Sequence, residues 1–317
     1  MNRNRYHSLN TFFRMNFGEK VHKLSLAGGF TCPVRDGSLS SGGCVYCNPS
    51  GSVPGHYKPG MSLQEQLEKG SEYVIDRHGA RSFIAYFQDY TTTYADVKLL
   101  EKLFCEALRF PGVRGLALCT RPDCLSEEIL SLLKDIASDT FLWVELGVQS
   151  GCDVTLLRMK RGHTVYDSER AFHRLHQRGI RTAAHVILGF PGESREEALS
   201  TVELIRRSST AGVKLQNLHV LKDTPLADDY SAGKVRLLKR SEYAALAADF
   251  LERIPPVTVI QRLTGEAPPK TLVAPDWSIN KLAVVDRIKR ELMYRNSWQG
   301  KKLGYSLEDI PSLTSEN

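Results

Sequence analysis

The sequence has 317 residues, of which 42% are hydrophobic and 25% are charged, and its formal net charge is +6. This composition is typical of a globular protein and excludes a disordered or collagen-like chain. No apolar run approaches the roughly 18 residues that a membrane span requires, and seven cysteines in a chain of this length do not indicate a disulfide framework. The sequence therefore predicts a cytoplasmic protein with no membrane association, whose reduced thiols are free to bind metal.

Strand and helix patterns alternate along most of the chain. The predicted strands lie near residues 23–27, 82–87, 114–119, 141–147, 182–188, 214–220 and 256–261. The predicted helices cover residues 94–112, 125–138, 166–179, 194–208 and 240–253, with a last helix from Ser278. Alternation at intervals of about 30 residues is typical of βαβ units with a parallel sheet. Because a complete barrel needs more units than this, we predict an α/β fold with a partial (β/α)6 TIM-like barrel.

Three segments are predicted. Residues 1–20 form a basic N-terminal segment, residues 21–235 form the partial barrel, and residues 236–317 form a C-terminal α/β extension that packs on the barrel. The first segment has no apolar core, so we expect no secretory signal. Basic residues outnumber acidic ones by seven to two in residues 1–60 and again in residues 278–304. Such clusters are typical of proteins that bind a polyanion such as RNA, and also of solvated surfaces without a partner.

Three cysteines lie in a Gly/Ser-rich loop directly after the first predicted strand, in "TCPVRDGSLSSGGCVYCN" (31–48). Cys32, Cys44 and Cys47 have the spacing C-x11-C-x2-C. Functional groups of parallel barrels lie where strands end and loops begin, which is the position of this loop. Three thiolates fit an iron–sulfur cluster with one iron left open, and His56 as a fourth ligand would instead complete a zinc site. Spacing alone leaves both interpretations open, together with a disulfide.

Several motifs together resemble the radical S-adenosylmethionine (SAM) superfamily. They are the cysteine loop with Tyr46 before its last cysteine, "KLSLAGGFTCPVRDG" (23–37), "YFQDYTTTYA" (86–95), "NLHVLKDTPL" (217–226) and "VIQRLTGEAP" (259–268). The long first gap between cysteines is typical of the branch that includes the catalytic subunit of Elongator. Within that branch, the motifs resemble the bacterial YhcC/YtqA subgroup over nearly the whole chain. We expect no acetyltransferase domain like that of Elongator.

The resemblance implies a set of cofactors and of residues that bind them. Cys32, Cys44 and Cys47 would hold a [4Fe–4S] cluster whose open iron binds SAM. A reductant such as flavodoxin or ferredoxin would supply the electron that cleaves SAM to a 5′-deoxyadenosyl radical. The cofactor contacts implied by the positions of the family's motifs are Gln88, Asp89, Tyr90, Gln149, Arg161 and His185. Glu145 joins them as a candidate, because it lies four residues before Gln149 on the same predicted strand and faces the same side.

The resemblance also implies a substrate. The related branch modifies C5 of the wobble uridine in tRNA, and this subgroup is linked to maturation of the carboxymethylaminomethyl side chain there. Our first hypothesis is therefore a radical SAM enzyme that acts on tRNA. Two alternatives stay open at this point: a radical SAM enzyme with a small-molecule or peptide substrate, and a metal-containing RNA-binding protein without catalytic activity.

Overall fold

The computed structural model describes residues 4–48, 51, 53, 57–58, 60–267 and 269–313. His56, the fourth ligand of the alternative zinc site, lies outside these residues. Within the described ranges, no helix has the length and apolar character that a membrane crossing requires. The helices are α1 (Leu9–Phe17), α2 (Leu63–His78), α3 (Val97–Leu108), α4 (Glu127–Asp139), α5 (Asp153–Arg158), α6 (Val165–His176), α7 (Arg195–Arg207), α8 (Pro225–Ser231), α9 (Arg240–Leu251) and α10 (Lys281–Tyr294). The strands are β1 (Val21–Leu26), β2 (Ser82–Phe87), β3 (Val113–Thr120), β4 (Phe141–Gln149), β5 (Arg181–Leu188), β6 (Gly212–Asn217), β7 (Val220–Leu221), β8 (Val259–Arg262) and β9 (Leu272–Ala274).

Seven of the strands form one parallel sheet, in the order β1-β2-β3-β4-β5-β6-β8. A helical crossover joins each strand of this sheet to the next, and the sheet curls into a half-barrel. The predicted α/β partial barrel is therefore confirmed. Strand β8, which we had expected within the C-terminal extension, pairs with β6 and continues the sheet. The segment boundaries at residues 20 and 235 stay a prediction.

Four helices lie where none is predicted, namely α1, α2, α5 and α8. Helix α1 lies within the basic N-terminal segment, and α2 lies between the first two strands of the sheet. Helix α2 has standard boundary signals: Ser62 and Glu65 form a capping box at its start, and Gly79 ends it in the left-handed conformation. Hydrophobic residues on the outer face of the sheet pack against the crossover helices in one large core.

The amino end of the inner face is closed by an aromatic plug, which consists of Phe12, Phe13, Phe17, Phe141 and Trp143. Three of these rings come from α1 and two from β4. The ring centroids of Phe12 and Trp143 are 5.1 Å apart, and those of Phe17 and Phe141 are 5.5 Å apart. Tilted and edge-on contacts of this kind are favourable for aromatic rings, which bury large apolar areas. The plug therefore makes this end of the half-barrel a packed core.

Candidate active site

The cysteine loop follows β1 at the carboxyl end of the sheet. Cys32 and Cys44 are buried beside Val34, and Tyr46 and Cys47 pack against them. Tight turns bring the loop back on itself, since the amide of Arg35 donates to the carbonyl of Cys32 at 2.8 Å and the amide of Cys47 donates to that of Cys44 at 3.0 Å. The structure thus gathers the three predicted ligands in one place, despite the eleven residues between the first two.

Among the described residues, no three His, Cys, Asp or Glu side chains form a group that could hold a single metal ion. A mononuclear zinc site needs each sulfur about 2.3 Å from the same metal. A cubane cluster has no such requirement, because each thiolate binds a different iron atom.

Asp89 anchors the start of the cysteine loop. Its carboxylate accepts hydrogen bonds from the amides of Gly28, Gly29 and Phe30, at 3.0 to 3.1 Å. Burial raises the pKa of this carboxyl group, and the backbone hydrogen bonds oppose that effect. Both oxygens of Asp89 are therefore engaged with the backbone that precedes Cys32.

Arg35, within the long gap, reaches back across the cysteine loop. Its Nη2 donates to the carbonyl oxygens of Cys47 and Asn48, at 3.1 and 2.9 Å. The guanidinium lies over the ring of Tyr90, 5.4 Å from its centroid. The eleven-residue gap therefore provides an arginine that fastens the two ends of the loop together and joins them to the segment after β2.

Arg161 contacts the cysteine loop from the opposite side. Its Nη1 donates to the sulfur of Cys44 at 3.6 Å, and its Nη2 donates to the carbonyl of Gly147 at 2.8 Å. A Cβ atom at Gly147 would lie 2.6 Å from Arg161 Nη2, so only glycine permits this approach. The carbonyl of Arg161 accepts a hydrogen bond from buried Arg121, which also pairs in bidentate fashion with Asp123. Arg161 thus places positive charge beside Cys44, and Arg121 holds the backbone of Arg161 in position.

Two of the predicted cofactor contacts have a left-handed backbone, which is uncommon outside glycine. The φ angles of Tyr90 and Gln149 are 48° and 69°. The side-chain oxygen of Gln149 is buried and has no hydrogen-bond partner in the described part of the chain. Gln88 is half-buried and bonded through its backbone amide to β1. Backbone strain and an unpaired buried acceptor at the ends of β2 and β4 are typical of a ligand site.

The carboxyl half of the inner face carries charged side chains, which we call the inner polar cluster: Lys23, Tyr86, Cys119, Glu145 and Lys214. Glu145 accepts hydrogen bonds from both ammonium groups, and the Lys214 Nζ to Glu145 Oε2 distance is 2.7 Å. Each lysine Nζ lies 4.6 Å from the centroid of the Tyr86 ring. Burial alone raises the pKa of the Glu145 carboxyl, but the two ammonium groups outweigh it and hold that pKa well below its usual range. Glu145 is therefore an anion whose oxygens are committed to the lysines.

His185, on β5, lies at the edge of this cluster. Its Nε2 is 3.0 Å from the side-chain oxygen of Gln216 and 3.3 Å from Nη2 of Arg262. Burial, then the charges of Arg262 and Lys214, lower the pKa of His185 well below its usual range. The imidazole is thus neutral at physiological pH and acts as a hydrogen-bonding group.

The basic residues within the strands of the inner face were not among the predicted site residues. Lys23, Lys214 and Arg262 each interrupt a run that is otherwise apolar or neutral. A lysine or arginine inside such a run is rare unless it is paired or functional, so the signal was present. The pairing across the barrel was not readable, because it joins residues that are 69 and 122 positions apart in the chain.

This geometry agrees with comparisons to known proteins. Residues 40–205 match the Radical SAM superfamily, and residues 210–294 match the Radical_SAM C-terminal domain. The chain belongs to the radical SAM superfamily. It is 37% identical to YtqA of Bacillus subtilis (strain 168) over 297 residues, which cover 94% of this chain and 92% of YtqA. It is 35% identical to YhcC of Escherichia coli (strain K12) over 289 residues, which cover 91% of this chain and 92% of YhcC.

More distant similarities agree with the predicted branch. Its fold resembles that of Elp3 from the archaeon Methanocaldococcus infernus, with a TM-score of 0.66 and 17% identity, over 88% of this chain and 64% of the other. A segment of 157 residues is 29% identical to the tRNA uridine(34) acetyltransferase of Dehalococcoides mccartyi (strain CBDB1), covering 49% of this chain and 34% of that enzyme. The predicted Elongator-like branch and its YhcC/YtqA subgroup are confirmed.

Radical SAM proteins use a [4Fe–4S] cluster and SAM, as the sequence analysis predicted for this chain. The residues at the carboxyl end fit that pair of cofactors. The buried thiols of Cys32 and Cys44 share a small cluster with Cys47, and the Arg161 cation beside Cys44 offsets the negative charge of thiolates. The side-chain oxygen of Gln149 is a hydrogen-bond acceptor without a partner among the described residues, and SAM offers donors in its amino group and ribose hydroxyls.

Proposed function

We propose that this radical SAM enzyme modifies the C5 side chain of the wobble uridine in tRNA, within maturation of the carboxymethylaminomethyl group. The observation that carries the proposal is the set of three cysteines at the end of a half-barrel with a polar interior. About half of the chain also resembles a tRNA uridine(34) acetyltransferase. Position 34 is the wobble position of the anticodon. A protein or peptide substrate is the second candidate, because a segment of 171 residues is 28% identical to the ribosomal protein uS12 methylthiotransferase RimO of Desulfitobacterium hafniense (strain Y51).

The proposed ligands of the cluster are Cys32, Cys44 and Cys47. When bound, the cluster and SAM supply a 5′-deoxyadenosyl radical that abstracts hydrogen from the substrate. The protein's own contribution is to orient these groups and to exclude water from them. The aromatic plug closes the amino end of the half-barrel, so substrate has to reach the radical from the carboxyl end or from the open side.

The remaining predicted cofactor residues divide into two groups. Gln88, Tyr90, Gln149 and His185 have side chains at the carboxyl end of the inner face, and we propose that they contact SAM there. Asp89, Glu145 and Arg161 are bonded to the cysteine loop or to the buried lysines, so we propose that they position the site. Asp89 holds the loop before Cys32, Arg161 fastens Cys44 to β4, and Glu145 keeps two lysines in place.

Helix α10 supports a nucleic-acid partner. Its outer face carries Lys289 and Arg290 together with Tyr294, whose side chain is 89% exposed. Arg290 and Tyr294 are four positions apart and so lie on one side of the helix, and the adjacent Lys289 is also exposed. Cations bind RNA phosphates, and an exposed tyrosine provides a surface on which an unpaired base can stack. We propose that this face contacts tRNA outside the active site.

Two measurements test the proposal. Anaerobic reconstitution, with flavodoxin or ferredoxin as the proposed reductant, should give a protein that forms 5′-deoxyadenosine from SAM, and tRNA from a deletion strain should stimulate this reaction. Nucleoside mass spectrometry of that tRNA should show a changed wobble uridine. Cleavage of SAM with an unchanged wobble profile would instead support a small-molecule or peptide substrate. Failure to cleave SAM would support a non-catalytic RNA-binding protein. Action on tRNA would also agree with the predicted cytoplasmic location.

A further inference from the structure

A cleft opens along the side of the half-barrel, between the two end strands of the sheet, β1 and β8. This seam cleft has a volume of about 520 Å³, and α1, β1, β8 and α10 contribute its walls. The side chains that matter here are those of Lys23, Gln261, Arg262 and Lys281. Because Lys23 also contacts Glu145, the seam cleft joins the molecular surface to the inner polar cluster.

The seam cleft is cationic. None of the described residues that line it is acidic, whereas two lysines and an arginine do line it, of which Lys281 is paired with Glu266 at 2.7 Å. Lys23 shares the carboxylate of Glu145 with Lys214. Arg262 has no carboxylate within ion-pair distance anywhere in the described ranges of the chain. Lys23, Lys214 and Arg262 thus place three positive charges against one negative charge inside a half-buried space, which favours the entry of an anion.

Arg262 has a hydrogen-bond donor that the protein leaves unused. Its Nη2 contacts two neutral groups, the side-chain oxygen of Gln216 and the Nε2 of His185. Its Nε is buried and has no hydrogen-bond partner among the described residues, and the same holds for Nε2 of Gln261, the residue before it. Buried donors without acceptors are costly, above all on a charged group. An acceptor that enters the seam cleft would remove that cost.

We propose that the seam cleft binds a carboxylate of the substrate and that Arg262 is the residue that recognises it. A guanidinium has parallel N–H groups that match a carboxylate in a bidentate pair. Since Arg262 lies against His185, a predicted SAM contact, the bound anion belongs to the reacting part of the substrate. The inference rests on the proposed function, because the carboxymethylaminomethyl side chain of the uridine ends in a carboxylate.

Two synthetic anticodon stem-loops test the inference. They differ only at C5 of the wobble uridine, which carries either a carboxymethylaminomethyl group or an aminomethyl group, so both keep every backbone phosphate. Equilibrium binding to the reconstituted holoenzyme is measured for the wild type, Arg262→Gln, Arg262→Lys and Arg170→Gln, which removes an exposed arginine of α6 as a matched control. We expect the wild type and the control to prefer the carboxylated stem-loop by about ten-fold, the scale of one charged hydrogen-bonded contact. Arg262→Gln should abolish the preference, and Arg262→Lys should reduce it.

Each other outcome overturns the inference. The wild type could bind the two stem-loops equally or bind neither, or its preference could survive in Arg262→Gln. Any of these results would show that Arg262 does not recognise the carboxylate. If Arg262→Gln weakens the binding of both stem-loops equally, Arg262 contacts a backbone phosphate and not the carboxylate. Thermal unfolding shows whether each variant is folded, and if Arg262→Gln is not, an undiminished preference in Arg262→Lys contradicts the bidentate pair. Failure of the proposed function is a separate result, because it appears as an unchanged wobble profile in the deletion strain.

Discussion

The two halves of the inner face share strand β4 but differ in chemistry. Near the amino ends, the aromatic plug packs five rings from α1 and β4 into an apolar core. Near the carboxyl ends, the inner polar cluster buries two lysines around one glutamate. Aromatic burial stabilises a fold strongly, whereas a buried ion pair contributes little net stability because its desolvation offsets the attraction. One half therefore supports the structure, and the other half has charged groups that stability alone does not explain.

The largest expected effect concerns the carboxyl end. Cys44→Ala should abolish retention of the reduced cluster and cleavage of SAM, because a cluster with two thiolates lacks its third anchor. The measurements are iron and sulfide content, cluster absorbance, and 5′-deoxyadenosine formation after anaerobic reconstitution. Cys105→Ala, a matched change on α3, should leave all of them unchanged. Normal absorbance and cleavage in Cys44→Ala would show that the ligand assignment is wrong.

The next effect tests whether the negative charge of Glu145 stabilises the two buried lysines of the inner polar cluster. Glu145→Gln removes the only carboxylate in contact with Lys23 and Lys214 among the described residues, which leaves two buried cations. We expect the free energy of unfolding to fall by about 3–5 kcal/mol, as when one partner of a buried ion pair is deleted. Denaturant titration measures it. Glu203→Gln, which breaks an exposed pair with Arg206, should cost less than about 1 kcal/mol. Similar losses of unfolding free energy in both variants would show that the buried carboxylate matters no more than an exposed one.

The aromatic plug should affect stability without affecting chemistry. Phe13 is 2% exposed and contacts the rings of Phe17 and Phe141. We expect Phe13→Ala to lower the free energy of unfolding by about 3 kcal/mol through lost burial and the cavity that remains. Phe13→Leu should cost less. Cluster content and SAM cleavage per folded molecule should match the wild type, and a specific loss of cleavage would show that the two halves are not separable.

The smallest effect compares Glu145 with a buried carboxyl group that has no ion pair among the described residues. Glu193, after β5, accepts a hydrogen bond from the hydroxyl of Ser150 at 2.6 Å, and burial raises its pKa to about 7. The folded protein thus holds the proton more tightly than the unfolded chain, so this stabilisation is present below about pH 4.5 and is lost as the pH rises through 7. Between pH 5 and 8, the free energy of unfolding of the wild type should fall by about 1 kcal/mol relative to Glu193→Gln. If the unfolding free energies of the two proteins change equally with pH, the pKa of Glu193 is not raised in the folded protein.

Much of the site could be predicted because its signals are local. Cys32, Cys44 and Cys47 are recognisable by spacing and by their place after a strand, and the alternation of strands and helices predicts the parallel sheet. The capping box of Ser62 and Glu65 and the terminal Gly79 are equally local, and they mark the helix α2 that periodicity did not reveal. In each case the physical cause lies within a few residues of its effect.

By itself, the sequence determined the fold class, the cysteine loop and the radical SAM family. Only the tertiary structure decided how the charges are distributed inside the half-barrel. Asp89 and Arg161 had been expected to contact the cofactor, and the structure shows them bonded to the loop before Cys32 and to Cys44. Lys23 meets Glu145, and Arg262 meets His185, only because the sheet curls and brings distant strands face to face. Contacts across a barrel depend on strand order and curvature, which local patterns do not encode.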